Sequence, residues 1–98
     1  HLLPLRFLAQ RREQFLDRLA ALHADTVGWL TPLASRLPRL GDDLERLSLA
    51  NELAQNGDGT YVASPRVDSY HGIWFELHED LIQLAGRTRA AEVDAGRA

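Results

Sequence analysis

Hydrophobic and polar positions alternate along the first third of the chain with the period of an α-helix. Four apolar residues follow one another at spacings of seven, four and three residues, with arginine and aspartate between them: Leu8, Phe15, Leu19 and Leu22. These spacings place side chains on one face of a helix. The pattern predicts a helix from about Leu5 to Leu22, with an apolar face turned toward a core and a continuation through Trp29.

Proline, glycine and aspartate divide the middle of the chain. Thr31-Pro32 is typical of a helix N-terminus and predicts a short helical turn, which Pro38 then ends. The segment Gly41-Asp42-Asp43 predicts the start of another helix with an aspartate cap. Asn56-Gly57 predicts its end, because both residues tolerate the left-handed backbone of a helix C-terminus.

One long helix is expected in the C-terminal half. Ser64-Pro65 indicates its start and Gly86 its end, so the longest helix is predicted at about residues 65–85. Residues 86–98 are expected to fray or to extend the helix weakly. Before this helix, residues 60–62 are expected to form at most a very short extended segment.

Three to four helices with short connections predict an all-α fold, a small helical bundle or array. With 98 residues, the chain is expected to be one domain over 1–98. The apolar and charged fractions, 45% and 26%, are those of an average globular protein. No run approaches the ~18 apolar residues of a membrane-spanning helix, so we expect no membrane insertion.

Charge and cysteine content narrow the classes of function. The net charge is −3 and the arginines are scattered, which argues against nucleic-acid binding. The absence of cysteine excludes disulfides and thiolate catalysis. All eleven cationic residues are arginine, which suggests a bacterial source with a GC-rich genome. Arginine is also suited to bidentate pairing at interfaces. We expect a cytoplasmic location, with secretion left open.

Two histidines in the long predicted helix are the first candidates for chemistry. His71 and His78 lie beside Trp74 on the edge of a broad apolar face. Because seven residues separate them by ~10.5 Å along a helix, they are poorly placed to share a metal ion. The simplest interpretation is packing at the boundary of the core. A pH-sensing role, with stability falling between pH 7.5 and 5.5, is the alternative.

No catalytic constellation or cofactor motif is found, so the chain is expected to be non-enzymatic and free of cofactors and metals. Its aromatic and leucine content instead predicts a protein-protein interaction or oligomerisation module, regulatory in role, whose partner is another protein or a second copy in a homodimer. The alternative is a small-ligand-binding sensor with a pocket between the first and last helices. The residues predicted for such an interface or pocket are Trp29, Leu49, Leu53, Tyr70, His71, Trp74 and His78.

Overall fold

The computed structural model describes residues 2–94 and residue 96, and this part of the chain contains four helices and no strand. The helices are α1 (Leu2–Ala34), α2 (Pro38–Gln55), α3 (Thr60–Ala63) and α4 (Tyr70–Asp94). The predicted all-α helical array is therefore confirmed. The longest helix is α1, with 33 residues, and not the predicted helix at 65–85.

Helix α2 lies in the middle of the array and packs against both α1 and α4. Its C-terminal end lies beside the middle of α1, where Gln55 Nε2 donates a hydrogen bond of 2.8 Å to the carbonyl of Leu16. The first half of α1 therefore extends beyond the end of α2. The described chain is accordingly elongated, with principal extents of 68 × 24 × 21 Å.

The core forms where α1, α2 and α4 meet. Leu30, Leu47 and Ile73, one from each of these helices, are completely buried. Partly buried apolar residues surround this centre and include Trp74. The remaining buried apolar residues are Leu19, Leu40, Ala50, Ala54, Tyr70 and Leu77. No helix in the described part of the chain is both long and apolar enough to cross a membrane.

Helix α1 continues past the predicted new start at Thr31-Pro32 and ends at Ala34. Proline lacks the N–H that would bond to the carbonyl of Gly28, but here it lies in the last turn, where a lost hydrogen bond affects few residues. The hydroxyl of Thr31 donates to the carbonyl of Val27 instead of capping a new helix. The predicted helical turn after Pro32 is thus the end of α1.

Helix α2 begins at Pro38, earlier than the predicted aspartate cap at Asp42-Asp43. Leu37 has extended backbone angles, as expected for a residue that precedes proline, and no side chain caps the helix. Pro38 therefore starts a helix and does not end one. The predicted end is correct: α2 stops at Gln55, and Gly57 has a φ of +110°.

Between α2 and α4, the predicted extended segment at 60–62 is helical and belongs to α3. Asp58 Oδ1 accepts hydrogen bonds from both the amide and the hydroxyl of Thr60, which stabilises this turn. Helix α4 starts at Tyr70 and not at Ser64-Pro65, and Ser69 Oγ accepts a hydrogen bond from the amide of Gly72 in its first turn.

Gly86 does not end α4, which continues to Asp94. One glycine in a helix interior destabilises it by only about 1 kcal/mol relative to alanine, and helix-forming residues follow it. Of the tail predicted at 86–98, residues 95, 97 and 98 lie outside the described residues.

Candidate interaction surface

Four large apolar side chains on α1 are exposed at every seventh position. Seven residues make nearly two turns of helix, so these side chains form one stripe that drifts slowly around it. Their exposed fractions are 61% for Leu8, 53% for Phe15, 45% for Leu22 and 42% for Trp29. We call these four residues the heptad stripe. The prediction that Leu8, Phe15 and Leu22 face the core is wrong, although Leu19 beside them is buried.

The N-terminal end of the heptad stripe lies on the part of α1 that extends beyond α2. Phe7 is 57% exposed, and the guanidinium of Arg11 lies over its ring, 5.5 Å from the ring centroid. Such contacts stabilise exposed sites by about 0.5–1 kcal/mol. This helical extension therefore presents apolar side chains that the described fold leaves in contact with solvent.

At the other end of the stripe, α1 and α4 form a shallow tryptophan groove. Trp29 and Trp74 make an edge-to-face contact, with ring centroids 6.2 Å apart, and Trp74 stacks on Tyr70 at 6.5 Å. The groove has a volume of about 40 Å³. Its lining residues are Trp29, Trp74, Leu77, His78 and Leu81.

The residues predicted as one interface or pocket occupy different places. Tyr70 is buried and Trp74 half-buried, whereas His71 and His78 are both exposed, so the histidines are not enclosed as the sequence suggested. Leu49 is exposed on α2 and Leu53 is half-buried there, and neither residue lines the tryptophan groove. Only part of the predicted set, Trp29, Trp74 and His78, comes together in one groove.

A histidine that sequence reasoning did not select joins three helices. Ser48 on α2 lies 3.2 Å from Nε2 of His23 on α1, and Nδ1 of the same ring lies 3.0 Å from the hydroxyl of Tyr70 on α4. Thr26, which is buried on the same helix as His23, donates its hydroxyl to the carbonyl of Leu22. We call the side chains of Ser48, His23 and Tyr70 the histidine chain.

The two partners of His23 are hydroxyl groups, which can both donate and accept. Each ring nitrogen therefore has a partner, whichever of the two carries the proton. Burial lowers the pKa of His23, which favours the neutral imidazole. Burial also raises the pKa of Tyr70, although Thr26 opposes this shift.

A second polar cluster, which we call the acidic cluster, lies between α2 and α4. Asp43 is only 4% exposed and its Oδ2 has no hydrogen-bond partner, while the neighbouring carboxyl of Asp80 accepts from Arg39 Nε at 2.9 Å. Arg46 stands beside Asp43, with 3.8 Å between the nearest nitrogen and oxygen. This cluster borders an open cleft of about 470 Å³ lined by Arg39, Asp42, Asp43, Glu45, Arg46, Glu76 and Asp80.

Electrostatics in the acidic cluster favour a bound proton. Burial, the hydrogen bond to Asp80 and the charge of Asp80 raise the pKa of Asp43 to about 7, while Arg46 opposes the shift and Glu76 adds to it. Arg46 directs its guanidinium mainly to Asp68 and Glu76. The cleft nevertheless supplies no metal site, because no group of three histidine or carboxylate side chains among the described residues is arranged to hold an ion.

The sequence did contain a signal for both buried carboxylates. Asp43 lies between Leu40 and Leu47 at spacings of three and four, which are the spacings of a buried helical face. Asp80 follows Leu77 by three residues on α4 in the same way. Asp43 had been predicted as part of a helix cap, but it is buried, and so is Asp80.

No protein-family model, curated protein or solved structure matches this chain.

Proposed function

We propose that this chain is a non-enzymatic helical module for protein-protein interaction or oligomerisation, which docks an apolar helix of its partner along the heptad stripe. The observation that carries this proposal is the run of four large exposed side chains at every seventh position of α1. Exposed apolar residues that occur singly are ordinary, whereas a continuous apolar surface is typical of a binding site.

The spacing of the heptad stripe indicates the kind of partner. Side chains repeated at seven residues are complementary to a second helix that carries the same repeat and runs nearly parallel or antiparallel to the first. Trp29 at one end adds the residue type that most often dominates interface energies. The partner is accordingly an amphipathic helix, and the rest of the fold holds α1 in place.

The size of the tryptophan groove favours this function over a small-ligand sensor whose pocket lies between the first and last helices. Pockets for small molecules usually measure about 300–1,000 Å³. The groove between α1 and α4 has about 40 Å³, close to the volume of a single water molecule. Such a depression suits the tip of one side chain from a docked helix.

The proposal is tested by replacing two residues in the middle of the stripe, Phe15→Ser together with Leu22→Ser. We expect the free energy of unfolding at low protein concentration to change by no more than about 1 kcal/mol, because the side chains are half exposed. We also expect fluorescence of the apolar dye anilinonaphthalene sulfonate, bound to the folded wild type, to fall strongly in the variant.

The matched control replaces two exposed apolar residues elsewhere, Leu49→Ser with Phe75→Ser, and should leave dye binding nearly unchanged. An equal loss of dye fluorescence in both variants would show that the heptad stripe binds the dye no better than other exposed apolar residues do. Unfolding of the stripe variant would place Phe15 and Leu22 in the core and contradict the proposal.

A further inference from the structure

The charged residues beside the heptad stripe carry a second pattern. Arg11, Arg18 and Asp25 each follow a stripe residue by three positions, so they lie along the same flank of α1. All three side chains are exposed, and none takes part in an ion pair within the described chain. Along this flank the charge changes from positive at the N-terminal end to negative at the C-terminal end.

We infer that the partner on the heptad stripe is a second copy of this chain, with the two α1 helices antiparallel. This inference rests on the proposed function and names its partner. In this arrangement Leu8 lies opposite Trp29 of the second copy, and Phe15 lies opposite Leu22 of the second copy. The stripe is complementary to itself because its four positions are spaced evenly about their midpoint.

The flanking charges select the antiparallel direction. Two helices aligned in this register bring Arg11 of each copy beside Asp25 of the other, which gives two attractive pairs. Arg18 meets Arg18 of the second copy near the two-fold axis, which is one repulsive pair. In a parallel pair with its two-fold axis along the helices, by contrast, this flank of one copy and the same flank of the other lie on opposite sides of the contact, so the two attractive pairs do not form.

The part of α1 that extends beyond α2 fits the same arrangement. The contact from Leu8 to Trp29 covers 21 residue steps, or ~32 Å of helix. Each N-terminal extension then lies across the tryptophan groove of the other copy, where Leu8 covers the exposed part of Trp29. A contact one helix wide and of this length lies at the low end of stable interfaces, which bury about 800 Å² per partner. The dimer is therefore reversible and depends on concentration.

The test is sedimentation equilibrium of the whole chain over about two orders of magnitude in concentration. We expect the average mass to rise from monomer to dimer. Arg11→Asp or Asp25→Arg alone should weaken dimerisation about tenfold, since each turns two attractive pairs into repulsive ones. The double variant Arg11→Asp/Asp25→Arg should recover most of the loss. Asp17→Arg and Arg66→Asp, which reverse exposed charges away from the stripe, are the matched controls.

Orientation has an independent readout because the chain contains no cysteine. In the antiparallel dimer the two copies of residue 18 are adjacent, whereas the two copies of residue 11 are ~22 Å apart along the helix axis. A disulfide needs Cα atoms closer than about 7 Å. Arg18→Cys should therefore form a cross-linked dimer on oxidation, and Arg11→Cys should not.

The outcomes separate this inference from the proposed function. A chain that stays monomeric at all concentrations overturns pairing with a second copy, while the dye experiment still decides whether the stripe is a docking surface. If Arg11→Cys forms a cross-linked dimer, the antiparallel arrangement alone is overturned. The same holds if the chain dimerises but the double variant Arg11→Asp/Asp25→Arg does not recover the dimerisation that the single variants lose.

Discussion

Two polar clusters join α2 to its neighbours, and they satisfy their polar groups in opposite ways. In the histidine chain, each ring nitrogen of His23 lies within hydrogen-bond distance of a hydroxyl, one from Ser48 and one from Tyr70. In the acidic cluster, Asp43 is as buried as Tyr70 but has one oxygen without a partner and a second carboxyl, Asp80, beside it. Burial alone therefore does not tell whether a polar group stabilises the fold.

The difference between the clusters follows from what each can donate. Hydroxyl and imidazole groups both donate and accept, so a chain of them can satisfy itself internally. Two ionised carboxylates only accept, so they repel each other unless one of them binds a proton. The pairing of Arg46 with Asp68 and Glu76 on the surface leaves Asp43 only partly compensated.

The largest expected effect comes from breaking the histidine chain. Tyr70→Phe removes the hydroxyl that is hydrogen-bonded to Nδ1 of His23, and so leaves this part-buried ring nitrogen without that partner. We expect the free energy of unfolding to fall by about 2 kcal/mol, measured by urea denaturation at neutral pH. Tyr61→Phe, at a half-buried tyrosine of α3, is the control and should change it by much less. An equal effect of both changes would contradict the importance of the hydrogen bonds.

A smaller effect of opposite sign is expected in the acidic cluster. Asp43→Asn removes the buried charge and supplies an amide donor for Asp80. We expect this variant to be more stable than the wild type by about 1 kcal/mol at pH 8, with a smaller gain at pH 5. Asp42→Asn, at the exposed neighbouring residue, is the control and should leave the free energy of unfolding nearly unchanged at both pH values. Destabilisation by Asp43→Asn at pH 8 would show that the ionised carboxylate is well compensated.

The two clusters should also respond oppositely to pH. The pKa of Asp43 is raised from 3.8 to about 7 in the folded chain, so its contribution to stability falls as pH rises through that window. The pKa of His23 is lowered from 6.5 in the folded chain. The contribution of His23 to stability is therefore lost as pH falls below about 6.5, because the unfolded chain then binds the proton more readily than the folded one. Between about pH 4 and 6.5, the two effects partly cancel.

The smallest expected effect is the change in this pH profile when the histidine contribution is removed. His23→Gln keeps a donor and an acceptor but no longer titrates. On acidification from pH 7 to 5, the free energy of unfolding of His23→Gln should therefore increase by up to about 1 kcal/mol more than that of the wild type. His71→Gln and His78→Gln, at the exposed histidines that the sequence had suggested as pH sensors, should leave the profile unchanged. Urea midpoints at several pH values measure this difference, and identical profiles for His23→Gln and the wild type would contradict it.

Helix boundaries show where local signals were sufficient. Asn56-Gly57 ends α2 as predicted because a positive φ is a local property of the backbone, which glycine adopts without strain. Pro32 and Gly86 did not end their helices as predicted. Each disfavours a helix locally, but a helix whose neighbouring turns are stable tolerates one such residue.

The candidate site was less predictable than the fold. Trp29 and Trp74 were both in the set of residues predicted for an interface or pocket, and their rings are in contact between α1 and α4. His23 was not selected, because its partners come from Ser48 and Tyr70, which lie 25 and 47 residues away along the chain. No short motif can contain a network of that range.

The sequence by itself determined the all-α class, the approximate number of helices and the side chains that could serve as anchors. The periodicity of apolar residues is enough for this, because it depends only on helical geometry. Only the tertiary structure decided which apolar faces are buried. Leu19 and Leu22 belong to the same predicted face, yet the first is buried in the core and the second is exposed. The physical reason is that burial depends on which helices pack together, whereas a heptad repeat has the same pattern whether its partner lies within the chain or outside it.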